Sequence, residues 1–478
     1  MLKLLVIGAD AVEPKYIFGK PELYPTINEM IEKGASSAYS AYVQKGYEGS
    51  YLSEMNWSSI YTGLSPQEHQ ILRTNKDGKR KTPEMKTFQG MSPFWEVFNR
   101  NGLSVGLWSA DCCVNPVEIN GYVVSSKYAM IDGPQEERRA ARELQVCEKE
   151  DRIIECLTGN VPPRLYPKTL RQQGYTYEEL HKDVDRAWEA VEKYHFQDAL
   201  SNFEEELAYF EVAMSRAQEC EPVDVMYFYT PTTDLIAHCC MYCDDNDVLT
   251  KAYQLLDEFI GRLKHTLQPE NTLFLSDHGM INFKELIQCS DKSVQREAFG
   301  ARDEVLWLKN GSIAFEAYNG ALLFTAHALK GTFVIEGKDI KHTKLNEMRT
   351  LDIYPTLLEA LGIQINGERQ GFVQDIFMRP LVNQDRFLDE SQVTYKSIAL
   401  VQCHQPSETD IILNELYIEK RFSKITIVGE EKYKEIFLNN PRVSGFISYE
   451  DYDGTKYDEV YCGMYNQTTK EMGHLRIK

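Results

Sequence analysis

Basic residues are in short supply. Against 72 Asp and Glu, the 478-residue chain sets only 52 Lys and Arg, a formal net charge of -20. That balance excludes a long nucleic-acid polymer as partner, because phosphate backbones are bound by basic surfaces. It does not exclude a small anionic substrate, since bound divalent metals reverse the local field. Long apolar runs are missing too. None reaches the length that a bilayer span needs, so no membrane partner is expected. The apolar start, Met1 to Gly8, is too short for a signal peptide and lacks a small-residue cleavage site. The 11 cysteines are odd in number and follow no disulfide framework. Reduced thiols and a cytoplasmic location are the expectation. No internal repeat or low-complexity tract interrupts a chain that is 43% hydrophobic and 26% charged, ordinary for a globular enzyme. Oligomeric state is left open.

Along the chain, short apolar runs alternate with helical patterns. Leu4 to Ile7 reads as a buried parallel strand that ends in Gly8-Ala9-Asp10. Helices are expected at Thr26 to Lys33 and near Pro93 to Asn101, with a strand at Ser104 to Trp108. The pattern resumes with Val223 to Tyr229, a helix at Val248 to Leu267 and strands at Thr272 to Ser276 and Phe333 to Glu336. A helix at Asp352 to Leu361 completes it. This alternation predicts an α/β fold with a mostly parallel, doubly wound sheet. Residues 1–129 and 222–382 would form that core. Between them, 130–221 is charged and carries the patterns of amphipathic helices at Tyr177 to Tyr194 and Phe196 to Ala217, a helical insertion placed as a cap over the site. Residues 383–478 hold further strand patterns, either an accessory lobe or an extension of the main sheet.

Chemistry-bearing residues fall near strand ends. They lie in Gly8-Ala9-Asp10, in Ser53-Glu54-Met55-Asn56, in the run from Asp234 to His238, in Ser276-Asp277-His278-Gly279, and around His327. Carboxylates and imidazoles in such numbers suit zinc or manganese. Each has a plainer reading alone: Asp10 as a helix cap, Asp234 and His238 as a solvated helix-face pair, Asp277 and His278 as turn residues. Their joint appearance in one chain order shifts the balance toward a metal centre.

That order resembles the alkaline phosphatase superfamily. The segment Ser53 to Pro66, with its Thr62-Gly63-Leu64, is similar to the nucleophile segment of the type I phosphodiesterase/nucleotide pyrophosphatase family. In that family the nucleophile stands three residues before an Asn and nine before the Thr of Thr-Gly, a register that makes Ser53 the nucleophile and Asn56 a phosphate-oxygen ligand. Ser58 and Ser59 then fall within the following helix. By the same resemblance Asp234, His238 and His327 would hold one metal, while Asp10, Asp277 and His278 would hold a second with Ser53 bridging toward it. His342 is the alternative to His327. The resemblance covers about Leu4 to Ile363 and implies an alkaline phosphatase-like core with two divalent ions, zinc or else manganese. It also implies hydrolysis of phosphodiester or nucleotide pyrophosphate bonds in a small, nucleotide-like phosphorylated substrate, through a phospho- or nucleotidyl-serine.

Departures bear on substrate class. Family nucleophiles are commonly Thr, whereas this chain has Ser53, and the usual Pro-x-x-His-Gly becomes Pro66-Gln67-Glu68-His69-Gln70. No Arg lies close to Ser53 in sequence to grip the extra charge of a monoester, which favours diesters. The Cys-x-Pro-x-Arg pattern of sulfatases is absent. Phosphomonoesterase, phosphonate hydrolase and phosphomutase readings would use the same core. A metal-bearing scaffold without activity would need neither a nucleophile nor the full ligand set. The basic run from Arg73 to Lys81 reads as a solvated loop, and Cys240 with Cys243 as packing residues.

Overall fold

The structure is a computed structural model that describes residues 1–42, 52–69, 92–108, 119–124, 196–240, 247–280, 304–308, 311–318, 321–328, 330–346, 348–366, 369–387, 395–402, 406–420, 423–438, 440, 442–466 and 471–478. Most of the expected insertion, 130–195, lies outside the described residues, as do the basic run at 73–81 and Cys243.

The first twelve strands are β1 (Leu4–Ala9), β2 (Ala35–Ser40), β3 (Val105–Trp108), β4 (Gly121–Val124), β5 (Val225–Thr230), β6 (Asn271–Leu275), β7 (Gly279–Met280), β8 (Glu304–Leu308), β9 (Gly311–Tyr318), β10 (Ala321–Ala328), β11 (Lys330–Gly337) and β12 (Thr343–Lys344). Eight of them form one sheet in the order β12-β2-β11-β6-β1-β5-β3-β4. Only β11 runs against its neighbours, β2 and β6. The fold is therefore α/β with a mostly parallel sheet. Central β1 pairs in parallel with β5 and β6, and all six of its residues are buried. A strand covered on both faces has no polar side to show, hence its unbroken apolar run.

Alternate residues of β1 enter different cores. Leu5 and Ile7 pack with the helices Pro25–Lys33, Phe196–Cys220 and Asp247–Leu267. Leu4 and Val6 pack with Leu52–Thr62, Phe94–Arg100 and Thr350–Ala360 on the opposite face. A two-residue side-chain period thus makes a sheet wound on both sides. Within the expected insertion, Phe196–Cys220 sets Phe203, Leu207, Phe210 and Met214 in the same core as Leu5 and Ile7. The amphipathic pattern was legible, but the partner that takes its apolar stripe is the sheet.

β2 was not expected. Its sequence, Ala-Ser-Ser-Ala-Tyr-Ser, has little apolar character, yet it pairs with β11 and β12 and is nearly all buried. Ser37 Oγ donates to the Leu345 carbonyl, so small hydroxyls stand in for aliphatic bulk here.

A second sheet has the order β7-β10-β9-β8. The C-terminal region builds a third sheet of its own, in the order β15-β14-β13-β16-β17: β13 (Lys396–Val401), β14 (Ser423–Gly429), β15 (Gly445–Ser448), β16 (Glu459–Asn466) and β17 (Glu471–Arg476). Its core of Ile398, Leu400, Ile412, Leu416, Ile425 and Ile436 is separate from those of the main sheet. It touches the main sheet's neighbourhood where Ile418 packs with Tyr42, Met55 and Leu351, and Arg349 Nη1 donates to the Ile418 carbonyl at 3.3 Å. No described helix is long and apolar enough to cross a membrane.

Candidate metal and nucleophile site

β1, β5 and β6 end side by side, and each hands its next residues to the same edge. Open parallel sheets bind ligands there, beyond the carboxyl ends of their strands. Asp10 follows β1, Asp234 follows β5 on the helix Thr232–Cys240, and Asp277 and His278 follow β6. Asp10, Asp277 and His278 are buried, and one ligand atom from each lies within 4.8 Å of the other two.

Ser53, near the start of the helix Leu52–Thr62, joins them. Its Oγ donates to Asp10 Oδ1 at 3.1 Å and lies 3.1 Å from His278 Nε2. His278 Nδ1 is 3.1 Å from the Gly279 carbonyl. A carbonyl only accepts, so Nδ1 carries the proton and Nε2 keeps a lone pair directed into the cluster. The helix Leu52–Thr62 can come this close to β1 because Gly8 has no side chain: a Cβ there would sit 2.8 Å from the Trp57 ring. The helix ends at Gly63, whose φ of +65° is the left-handed conformation that glycine adopts freely.

Backbone strain helps to aim the carboxylates. Ala11 has φ of +57°, uncommon for a residue with a side chain. That turn directs its N–H to Asp277 Oδ1 at 3.3 Å. From β2, the Tyr39 hydroxyl donates to the Ser276 and Asp277 carbonyls at 2.6 and 3.0 Å. Burial, then the charges of Asp277 and Asp10, push the Tyr39 hydroxyl well above its ordinary range, so it remains a donor. The Tyr229 hydroxyl donates to Asp10 Oδ2 at 2.7 Å, and Thr233 Oγ1 to the Asp10 carbonyl at 2.5 Å. Beneath that loop, both carboxylate oxygens of buried Glu206 accept hydroxyls, from Thr230 at 3.4 Å and Thr232 at 2.7 Å. None of these outer residues was singled out from sequence. Tyr229 showed there only as the last residue of a strand.

Electrostatics test whether a cation fits. Burial, then the charge of Asp234, raises Asp10 above the usual carboxylate range. Burial, then the charge of Asp10, raises Asp277 well above it. Asp277 Oδ2 is buried without a hydrogen-bond partner. Converging buried carboxylates of this kind favour protonation unless a cation joins them. Two carboxylate oxygens and a neutral imidazole nitrogen are a donor set that zinc or manganese accepts. The residues fit a divalent ion.

The other expected ligands are placed less fully. His238 sits one turn after Asp234 on the same helix, and His327 lies on β10 opposite Met280 of β7, beside the Asp277-His278 turn. The side chains of His238 and His327 lie outside the described residues. His342 does not approach the cluster; it is exposed, and its Nδ1 lies 3.0 Å from the Ile31 carbonyl.

Asn56 is fully buried, with Oδ1 accepting from the Tyr42 N–H and Nδ2 donating to the Tyr42 carbonyl, both at 2.8 Å. Such a two-point clamp ties the chain leaving β2 to the helix Leu52–Thr62. An Asn in a helix register can serve as such a clamp or as a phosphate-oxygen ligand, and spacing alone does not choose between them.

Ser58 and Ser59 are buried away from solvent, and Ser59 Oγ lies 3.1 Å from His69 Nε2. Burial pushes His69 from 6.5 down to about 3, so it stays neutral in the folded protein. The unfolded chain takes up a proton near 6.5 that the folded chain refuses until about 3. Stability from this group is thus complete above pH 6.5 and lost as pH falls toward 3, by about 1.4 kcal/mol per pH unit. His69→Gln, which keeps a donor and an acceptor but cannot ionise, is expected to flatten the decline. Urea unfolding of both proteins at pH 7, 6 and 5 measures it. Equal slopes would show that His69 is not the acid-sensitive group.

Comparison with known proteins follows from this geometry. No curated protein matches the chain. Among solved structures, murine ectonucleotide pyrophosphatase/phosphodiesterase 5, in an inactive form in complex with AMP, has a TM-score of 0.42 and 14% identity, over 77% of this chain and 97% of that one. The human counterpart has a TM-score of 0.39 and 15% identity, over 77% and 96%. At such scores these likenesses decide nothing further. The sequence profile is decisive: it matches residues 4–343, a span that contains all the expected site residues, and the chain belongs to the type I phosphodiesterase / nucleotide pyrophosphatase family.

Proposed function

We propose that this protein hydrolyses phosphodiester or nucleotide pyrophosphate bonds of a small, nucleotide-like substrate, with Ser53 as the nucleophile and two divalent metal ions as cofactors. One observation carries the reading: Ser53 Oγ lies 3.1 Å from both Asp10 and His278, within the buried cluster that suits a cation. Asp10, Asp277 and His278 would hold one ion, and Asp234, His238 and His327 the other. Zinc is the first choice and manganese the second. Bound there, such ions lower the pKa of the serine hydroxyl and of water, and offset charge on the transferred phosphoryl group.

The chain's own residues supply the rest. Ser53 Oγ releases its proton to solvent and attacks phosphorus; the Oγ–P bond forms as the bond to the leaving oxygen breaks, and that oxygen takes up a proton from solvent. Water then cleaves the Oγ–P bond and returns the serine. Asp10 and His278 fix the direction of the Ser53 hydroxyl, and the Gly279 carbonyl fixes the tautomer of His278. Asn56 acts one step back, through its clamp on Tyr42. A diester is preferred over a monoester, because a diester carries one charge fewer and no Arg neighbours Ser53 in sequence.

Purified protein should contain about two metals per chain. Chelation should abolish hydrolysis of a chromogenic phosphodiester, and zinc or manganese should restore it. Full activity after chelation would overturn the metal reading. Faster turnover of the matched monoester would move the protein to the phosphomonoesterases.

A further inference from the structure

We infer that Tyr229 is a positioning residue of this site: its hydroxyl selects the orientation in which the Asp10 carboxylate faces Ser53 and the metal. The inference rests on the metal reading above. Tyr229 is the penultimate residue of β5 and pairs with Gly8, two residues before Asp10. Its ring meets Trp57 edge-on, with centroids 5.2 Å apart and planes at 81°. Trp57 belongs to the nucleophile helix, so the phenol is held between that helix and the sheet with its oxygen at the site.

The two oxygens of Asp10 are used differently. Oδ2 takes the Tyr229 hydroxyl at 2.7 Å. Oδ1 takes the Ser53 hydroxyl at 3.1 Å and lies 3.3 Å from His278 Nε2. The terminal torsion of an aspartate is broad and roughly two-fold, so sterics alone select its orientation weakly. A donor fixed on one side holds the carboxylate plane at one torsion within that broad range. Thr233 restrains the same residue through its carbonyl. The main chain of Asp10 is thus set by a threonine of the helix after β5, and its carboxylate by a tyrosine near the end of β5. Hydrogen-bonded partners of metal ligands act in this way, and their loss costs about 10–100-fold in metal affinity.

Tyr229→Phe keeps the ring and its contact with Trp57 while removing the hydroxyl. Tyr227→Phe is the control, since the Tyr227 hydroxyl is 2.7 Å from that of Tyr61, on the same face two residues earlier. Calorimetric titration of chelated protein with zinc, and activity measured across zinc concentration, read the effect. Tyr229→Phe should bind zinc about 10–100-fold more weakly, with activity recovered at high zinc and KM for the ester unchanged. Tyr227→Phe should bind zinc as the parent does. Unaltered zinc affinity in Tyr229→Phe, with or without a lower unfolding midpoint, would make the tyrosine a packing residue and overturn the inference. Failure of the parent protein to bind zinc or manganese would instead overturn the proposed function.

Discussion

Ser53→Ala should reduce turnover of a phosphodiester by at least about 10⁴-fold, the scale on which a covalent nucleophile's removal is felt. Metal content should remain close to that of the parent. The two outcomes separate because Ser53 contributes a single hydroxyl to the cluster, donating to Asp10 Oδ1 and facing His278 Nε2. Asp10, Asp277 and His278 converge without its help. Ser58→Ala and Ser59→Ala should behave otherwise, since both residues are fully buried in the helix. Ser59→Ala breaks the contact with His69, a cost of about 1 kcal/mol in stability with the chemistry left in place. Rapid quench with labelled substrate should trap phosphate on Ser53. Near-parental turnover by Ser53→Ala would mean that water attacks phosphorus directly, and a phospho-serine would be ruled out. Label on Ser58 or Ser59 would show that the register is wrong.

What the sequence made legible follows physical rules. Strands buried on both faces announce themselves as apolar runs, which is why β1, β5 and β6 were expected close to where they lie. The residues just past those strands share one edge in any parallel sheet, and so Asp10, Asp234, Asp277 and His278 could be grouped. β2 escaped because Ser36 and Ser37 are buried on account of their small size, a property that hydrophobic periodicity does not register. The clamp of Asn56 on Tyr42 was not legible, since it depends on where the chain leaves β2. Phe196–Cys220 read as amphipathic, but periodicity does not say whether the apolar stripe meets a sheet or covers a cleft. Tyr229 and Tyr39 were invisible for a related reason: they act through hydroxyls whose partners are distant in sequence, Asp10 and the Ser276-Asp277 carbonyls.

Asp277→Asn should move stability and function in opposite directions. In the chelated protein, Asp277 is a buried carboxylate facing Asp10, raised well above its ordinary range by burial and by that neighbour's charge. Its Oδ1 accepts the Ala11 N–H at 3.3 Å, and its Oδ2 has no hydrogen-bond partner. Asparagine keeps the acceptor toward Ala11 and puts an N–H where Oδ2 stood, 3.3 Å from His278 Nε2, whose lone pair can accept it. The proton that the folded, metal-free parent must bind is no longer needed and one hydrogen bond is gained, so the chelated variant should be more stable than the chelated parent. The gain is about 1–4 kcal/mol, the range found when buried ionic groups give way to neutral ones. With metal present the order reverses. A ligand that binds only the folded state raises stability in proportion to its affinity, and the neutral amide is a poor donor to a divalent ion. The parent's unfolding midpoint should therefore climb as zinc is added, while that of Asp277→Asn hardly moves. Activity should fall by about 10³-fold or more, the kinetic equivalent of several kcal/mol of lost transition-state stabilisation. Thermal unfolding of both proteins, with chelator and with zinc, decides it in four measurements. A chelated variant less stable than the chelated parent would show that the carboxylates are reconciled without a cation. A variant whose midpoint still rises with zinc would place the ion elsewhere.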